Sequence, residues 1–167
     1  MDTVQLWYAL SSNPVTSHYF AGVYARDRIP YLKMNDLVVC NTDIASEPGE
    51  HWVVLFRVKS DEVEFFDSLG KPFEHYFSSR KDLIARQLAS YEMIQMSQRV
   101  QSPSTNLCGE YCLFYANARV HGCTMDDLID YIPTSQTLRY SINNTYSIID
   151  DDDLNVSKQG QGCCFFE

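Results

Sequence analysis

Apolar and polar residues fall into short blocks along this chain, and the period changes from block to block. Val4, Leu6, Trp7 and Leu10 follow Asp2 and Thr3 at helical spacing. Residues 2–10 are therefore expected to form a short amphipathic helix with Asp2 or Thr3 as cap, ended by Asn13-Pro14. Phe20–Tyr24 reads as a loop or short extended piece, and Leu37–Cys40 as a short buried strand. Residues 52–58 are apolar almost throughout, as in a central strand covered on both faces. Lys59-Ser60-Asp61 makes a turn, and Glu62–Asp67 alternates into a second strand. Ser79–Ser90 is expected to be a helix capped by Ser79 with Asp82 completing a capping box, its inner face Leu83, Ile84, Gln87, Leu88 and Tyr91. Residues 93–101 read as a further strand. Leu107–Val120 reads as a helix stopped by Gly122, and a last helix capped by Thr124 ends before Pro133.

The pattern predicts one α+β domain over residues 1–140, with an acidic extension over 141–167. An aromatic share of 13% supplies enough apolar bulk for a core, and the longest apolar runs are too short to span a bilayer. No basic leader precedes the first helix, so no secretory signal is expected, and the six cysteines read as reduced thiols of an intracellular protein. Their spacing does not match zinc knuckles, and no metal or other cofactor is expected. The net charge of −9 disfavours DNA as a partner, because phosphate contacts need Lys and Arg. Asp150–Asp153 reads as a solvated run, lacking the glycine and interleaved ligands of a calcium loop.

Candidate chemistry gathers around Gln101–Cys112. Cys108 stands where a Pro/Ser/Thr/Asn break opens a helix, and free N–H groups with a positive dipole end favour a thiolate there. Gln101, seven residues upstream, offers an amide N–H to an oxyanion. A base is offered by His51. A turn near residues 59–60 folds Asp67 back to within one pairing step of His51, on the same side if the register sum is even. Asp67 is then expected to hold Nδ1 of the imidazole, leaving Nε2 for the thiol. His18, His75 and His121 sit in polar or helix-end surroundings and read as surface residues.

These residues resemble the adenovirus-type (adenain-like) cysteine endopeptidases, of the same clan as the SUMO-specific isopeptidases. The landmarks are Phe20-Ala21-Gly22, Asn41-Thr42, Gly49-Glu50-His51-Trp52, Phe65–Gly70, Gln101-Ser102-Pro103, Cys108-Gly109 and Cys112. The resemblance implies an adenain/Ulp-like fold, a central mixed sheet flanked by helices with the nucleophile at a helix N-terminus. It implies Cys108 as nucleophile, His51 as base and then acid, Asp67 as orienting acid, and Gln101 with the Cys108 N–H as oxyanion hole. Gly49, Glu50, Trp52 and Gly109 are implied to line the substrate cleft.

The activity so implied is hydrolysis of peptide bonds beside small or glycine residues, maturing viral or mobile-element structural proteins in the host nucleus or virion. Its partners would be polypeptide substrates met by a monomer, with no membrane. Removal of ubiquitin-like modifiers is the alternative on the same triad, and an inactive protease-derived binding module is the non-enzymatic one. The family's activating peptide is tethered to a cysteine upstream of the glutamine, but no cysteine lies between Cys40 and Cys108. The Cys163-Cys164 end is a candidate activating strand in cis.

Overall fold

β-branched and aromatic runs pair with their neighbours in sequence. The computed structural model describes residues 1–146 apart from Ser79, Ile132 and Thr134. In it, β1 (Phe20–Tyr24), β2 (Leu37–Asn41), β3 (Trp52–Arg57), β4 (Glu62–Phe66) and β5 (Glu92–Gln95) form one sheet in chain order. The two outer pairs are parallel and the inner pairs antiparallel, giving the mixed sheet of an α+β fold. The helices are α1 (Thr3–Ser12), α2 (Phe73–Tyr76), α3 (Leu83–Gln87), α4 (Cys108–Val120), α5 (Met125–Tyr131) and α6 (Ser135–Tyr146).

Strand alternation sorts the side chains into two layers. Leu37, Val39, Val54, Phe56 and Phe66 meet Leu6 and Leu10 of α1, Tyr111, Cys112 and Tyr115 of α4, and Leu128, Leu138 and Ile142 of α5 and α6. Val38, Cys40, Val53, Leu55, Val63 and Phe65 meet Phe73, Phe77, Ile84 and Leu88 on the other face. Each such side chain contributes about 1.5–3 kcal/mol when removed from water.

One polar cluster ties α4 to the sheet. Glu64 of β4 is buried, and it accepts from Arg119 Nε and Nη2, both at 2.6 Å, and from Tyr115 Oη at 2.5 Å. The two-pronged geometry satisfies both carboxylate oxygens, which is what a buried charge requires. Since Arg119 sits near the far end of α4, the cluster fixes the axis of the helix that begins with Cys108.

Several expectations change. Asp2 caps α1 in a capping box with Gln5, but Val4 and Trp7 are exposed and the core face is Leu6, Ala9 and Leu10. Phe20–Tyr24 is a strand, paired with β2. The helix expected over 79–90 shrinks to α3 and a following 3-10 turn, Leu88–Ser90. Asp82 is not spent on a capping box: its carboxylate accepts from Ser78 N at 2.7 Å and pairs with Arg26 at 3.3 Å. Leu83 faces solvent and Ala85 is buried instead. The strand expected over 93–101 stops at Gln95, because the N–H groups of Val100 and Gln101 both turn to the carbonyl of Ser68 at 2.9 Å.

The boundary placed at residue 140 falls inside α6, whose Ile142 and Tyr146 are buried and whose Tyr146 hydroxyl donates to the Leu113 carbonyl at 3.1 Å. Residues 147–167, including the acidic run and Cys163-Cys164, lie outside the described residues, as does the Ser79 cap. No helix among the described residues is long and apolar enough to cross a membrane.

Candidate active site

The antiparallel register of β3 and β4 pairs Val54 with Phe66 and Leu55 with Phe65. Continuing it sets Asp67 opposite Val53, with His51 two residues further along the same side, one diagonal step away. The contact is made there: His51 Nε2 lies 2.5 Å from Asp67 Oδ1. This reverses the expected use of the ring. Asp67 has a short side chain at a diagonal position, so only the far tip of the imidazole reaches it. The near nitrogen, Nδ1, is left for Cys108.

Asp67 is fully buried and fully used. Besides His51, Oδ1 accepts from Leu69 N at 2.9 Å, while Oδ2 accepts from Lys71 N at 2.8 Å and Tyr76 Oη at 3.1 Å. Four donors fill the acceptor capacity of a carboxylate. Burial works to raise its pKa, and the hydrogen bonds from His51 and the turn outweigh that, holding it below its ordinary value. The turn itself depends on Gly70. Its φ is +69°, and a Cβ there would stand 2.8 Å from the main chain of residues 97–99. Gly70→Ala is expected to destabilise the fold by at least about 1–2 kcal/mol, seen as a lower denaturation midpoint. An unchanged midpoint would show that the turn is not under this constraint.

Cys108 opens α4, and no side chain caps that helix. The main-chain N–H groups of Trp52 and Gly109 face the sulfur instead. Burial pushes the thiol upward, but the imidazole hydrogen bond, those two N–H groups and the His51 charge prevail, so the pKa falls below 9.0. For His51, burial opposes the charged ring, and the hydrogen bonds and charges of Asp67 and Cys108 overcome it, raising the pKa to about 9. The two shifts run in the directions that favour a thiolate beside an imidazolium over the neutral pair.

Gln101 is buried. Ser68 Oγ donates to its Oε1 at 2.7 Å, and the Thr105 carbonyl, which can only accept, fixes the other end of the amide as nitrogen. Nε2 donates one N–H to the Thr105 carbonyl at 2.6 Å, and the second has no partner among the described residues. Ser68 thus joins the Asp67 turn to the Gln101 amide.

The implied cleft residues separate. Gly49 and Trp52 line a groove of about 450 Å³ together with Met1, Asp2, Asn41, Asp43 and Glu47. Glu50 is exposed outside that lining. Gly109 is buried, and a Cβ on it would stand 2.8 Å from Met1 Cβ, so the space above it belongs to Met1 rather than to a cleft. Trp52 Nε1 donates to the Met1 carbonyl at 3.1 Å. His18, His75 and His121 are exposed; His18 and His121 contact the Pro14 and Asn117 carbonyls, away from this cluster, while the His75 ring packs edge-on against Tyr76 at 4.7 Å. No group of three or more His, Cys, Asp or Glu that could hold a metal occurs among the described residues.

Sequence reasoning missed Tyr76 and Ser68. Tyr76 donates to Asp67, and its ring lies 5.9 Å from that of His51. Burial and the Asp67 charge push its phenol upward, so it stays a donor. Ser68 was visible only as part of the Phe65–Gly70 stretch, and nothing in its local sequence marks it as a partner of Gln101.

The fold is shared with a solved protein. The crystal structure of the pS273R protease of African swine fever virus superposes with a TM-score of 0.53 at 18% identity, over 85% of this chain and 67% of that one. The fold is that of a viral cysteine protease. A selenomethionine form gives a TM-score of 0.48 at 23% identity, over 68% and 45% of the two chains. In sequence, the chain is 26% identical over 107 residues to a cysteine protease of African swine fever virus, an alignment covering 60% of this chain and 39% of the relative. The chain thus spans about two fifths of the length of the curated relative it matches. No protein-family model matches it.

Proposed function

We propose that this chain is a cysteine endopeptidase acting through Cys108, His51 and Asp67. The observation that carries the reading is the Asp67–His51–Cys108 line at the mouth of α4, with Gln101 tied through Ser68 to the Asp67 turn. The Cys108 thiolate attacks the scissile carbonyl carbon. The oxyanion receives the second Nε2–H of Gln101 and the Cys108 main-chain N–H. Each such donor contributes about 2.7–4 kcal/mol to transition-state stability. Collapse expels the amine, which takes the proton from His51 Nδ1, and leaves a thioester. His51, again a base, draws a proton from water to hydrolyse it. Asp67 keeps its charge throughout and holds the ring by Nε2.

The substrates on this reading are structural polyproteins of a virus or mobile element, cut beside small or glycine residues within the host nucleus or virion. Support comes from the relationship to the viral enzyme and from a groove lined by Trp52, Gly49 and Met1. The chain is tested with glycine-containing peptides and, in parallel, with ubiquitin-like proteins carrying a C-terminal extension. Cleavage of the peptides with Cys108-dependent turnover supports the endopeptidase reading. Turnover of the ubiquitin-like substrates alone would replace it by the isopeptidase one, and no turnover of either would leave a binding module.

A further inference from the structure

We propose that the groove beside Cys108 binds an extended peptide and selects a Lys or Arg side chain near the scissile bond, through Asp43 and Glu47. The proposal rests on the endopeptidase reading above and names what that reading leaves open, the chemistry of a specificity subsite.

The groove meets the surroundings of Cys108 through two shared residues, while Cys108, His51 and Gln101 themselves lie outside its lining. It is bordered by Trp52, whose N–H faces the Cys108 sulfur, and by Met1, which lies over Gly109. Its outer wall is the Asp43–Gly49 loop and the ends of β1 and β2. Asp2, Asp43 and Glu47 are among the lining residues, and no Lys or Arg is. Asp2 is occupied as the cap of α1, accepting from Gln5 N at 2.8 Å. Glu47 spends one oxygen on a 3.3 Å contact from Ile44 N. The Asp43 carboxylate has no hydrogen bond or ion pair among the described residues. The nearby cation, Arg26, is turned away, paired with Asp82 and donating to Thr42 and Tyr76 carbonyls. Asp2, Asp43 and Glu47 outnumber the cationic group of the lining, the Met1 α-ammonium, so the groove keeps a net negative charge.

A second observation points to a ligand. Asn41 lines the groove and is 7% exposed. Its Oδ1 accepts from Asp43 N at 2.9 Å, but its Nδ2 has no partner among the described residues. That nitrogen is 2.8 Å from where a Cβ on Gly49 would stand, and Gly49 has φ +88°. The Asn41 side chain is nearly buried, and its free N–H opens on the groove, where it takes an acceptor from whatever fills that space. A peptide main-chain carbonyl laid along Gly49 supplies it, and the same peptide brings a side chain to Asp43 and Glu47. Exposed ion pairs of this kind contribute modestly, so selectivity of roughly fivefold is expected, and it weakens with salt.

The test measures binding to Cys108→Ala protein by fluorescence anisotropy, with labelled octapeptides in which Lys, Ala or Glu is scanned through each position. At one position Lys is expected to bind roughly fivefold tighter than Ala, with Glu the weakest, and the spread should shrink at high salt. Asp43→Lys with Glu47→Lys should invert the order, a result that misfolding cannot produce. Asn41→Ala should weaken Lys and Glu peptides by the same factor. A flat order at every position, an order unchanged in the double variant, or no peptide binding at all overturns the proposal. Because binding needs no turnover, the two failures separate. A chain that cleaves peptides but shows a flat order loses only the subsite, whereas one that binds in this order and never cleaves loses the endopeptidase reading.

Discussion

Replacing Cys108 by alanine is expected to abolish peptide hydrolysis, a loss on the order of 10⁵–10⁶ in kcat, with the fold retained. Among the described residues, no other thiol is placed to take over. Cys112 is one helical turn further on but fully buried, and burial with the negative charge of Cys108 pushes its pKa well up. Cys40 is likewise buried on the far layer, its thiol pushed up by desolvation. Removing one half-buried sulfur leaves the packing of α4 intact, since that helix is fixed by Glu64, Tyr115 and Arg119. A circular-dichroism melt close to the parent's, together with absent turnover, is the expected pair of results. Normal turnover would remove the nucleophile assignment.

Asp67→Ala should be the most damaging change that leaves the thiol in place. It deprives four donors at once: His51 Nε2, the N–H groups of Leu69 and Lys71, and the Tyr76 hydroxyl. Turnover is expected to fall roughly 10⁴-fold, as for loss of the orienting acid in other triads. Stability should fall on the order of 3 kcal/mol, because buried donors are left without acceptors. The pH dependence follows from the sign of the shift. The Asp67 pKa is below its ordinary 3.8, so its contribution is complete above that value and is lost as pH falls through the lower, folded-state value. The part of the gap that comes from Asp67's own titration should therefore close only in strong acid, while the part that comes from the His51 pKa it raises should grow as pH falls from about 9 to 6.5. Asp67→Asn separates charge from shape: it should recover much of the stability and little of the turnover. Equal stability of parent and Asp67→Ala in a urea titration would contradict the account of the turn.

The legible part of this site was the part written in local spacing. A turn near residues 59–60 was enough to bring His51 and Asp67 within one diagonal step, because hairpin pairing is arithmetic. The helix mouth at Cys108 was legible from the break before it. What could not be read was orientation. Which imidazole nitrogen meets the acid depends on the reach of the Asp67 side chain, and which end of the Gln101 amide is nitrogen depends on the Thr105 carbonyl it faces. The fold shows the same division. The apolar runs gave β2, β3 and β4, but α6 carries its buried stripe on Leu138, Ile142 and Tyr146 alone, in a polar stretch that reads as a tail. Only docking onto α4 reveals it. Cleft residues were the least legible: Gly109 was implied to line the cleft, and the packing of Met1 against it is a contact over more than a hundred residues.

The central claim is an anionic sulfur sustained by a protonated imidazole. His51 has its pKa raised from 6.5 to about 9, so the imidazolium is fully present below 6.5 and is lost only as pH rises through about 9. The Cys108 thiol ionises below its ordinary 9.0. The direct measurement is the rate of iodoacetamide alkylation of Cys108 against pH, followed on its own peptide by mass spectrometry, in the parent chain and in His51→Ala. The account expects substantial reactivity of the parent at neutral pH, with a titration midpoint below 9.0 that moves upward when His51 is removed. The same midpoint in both proteins would contradict it.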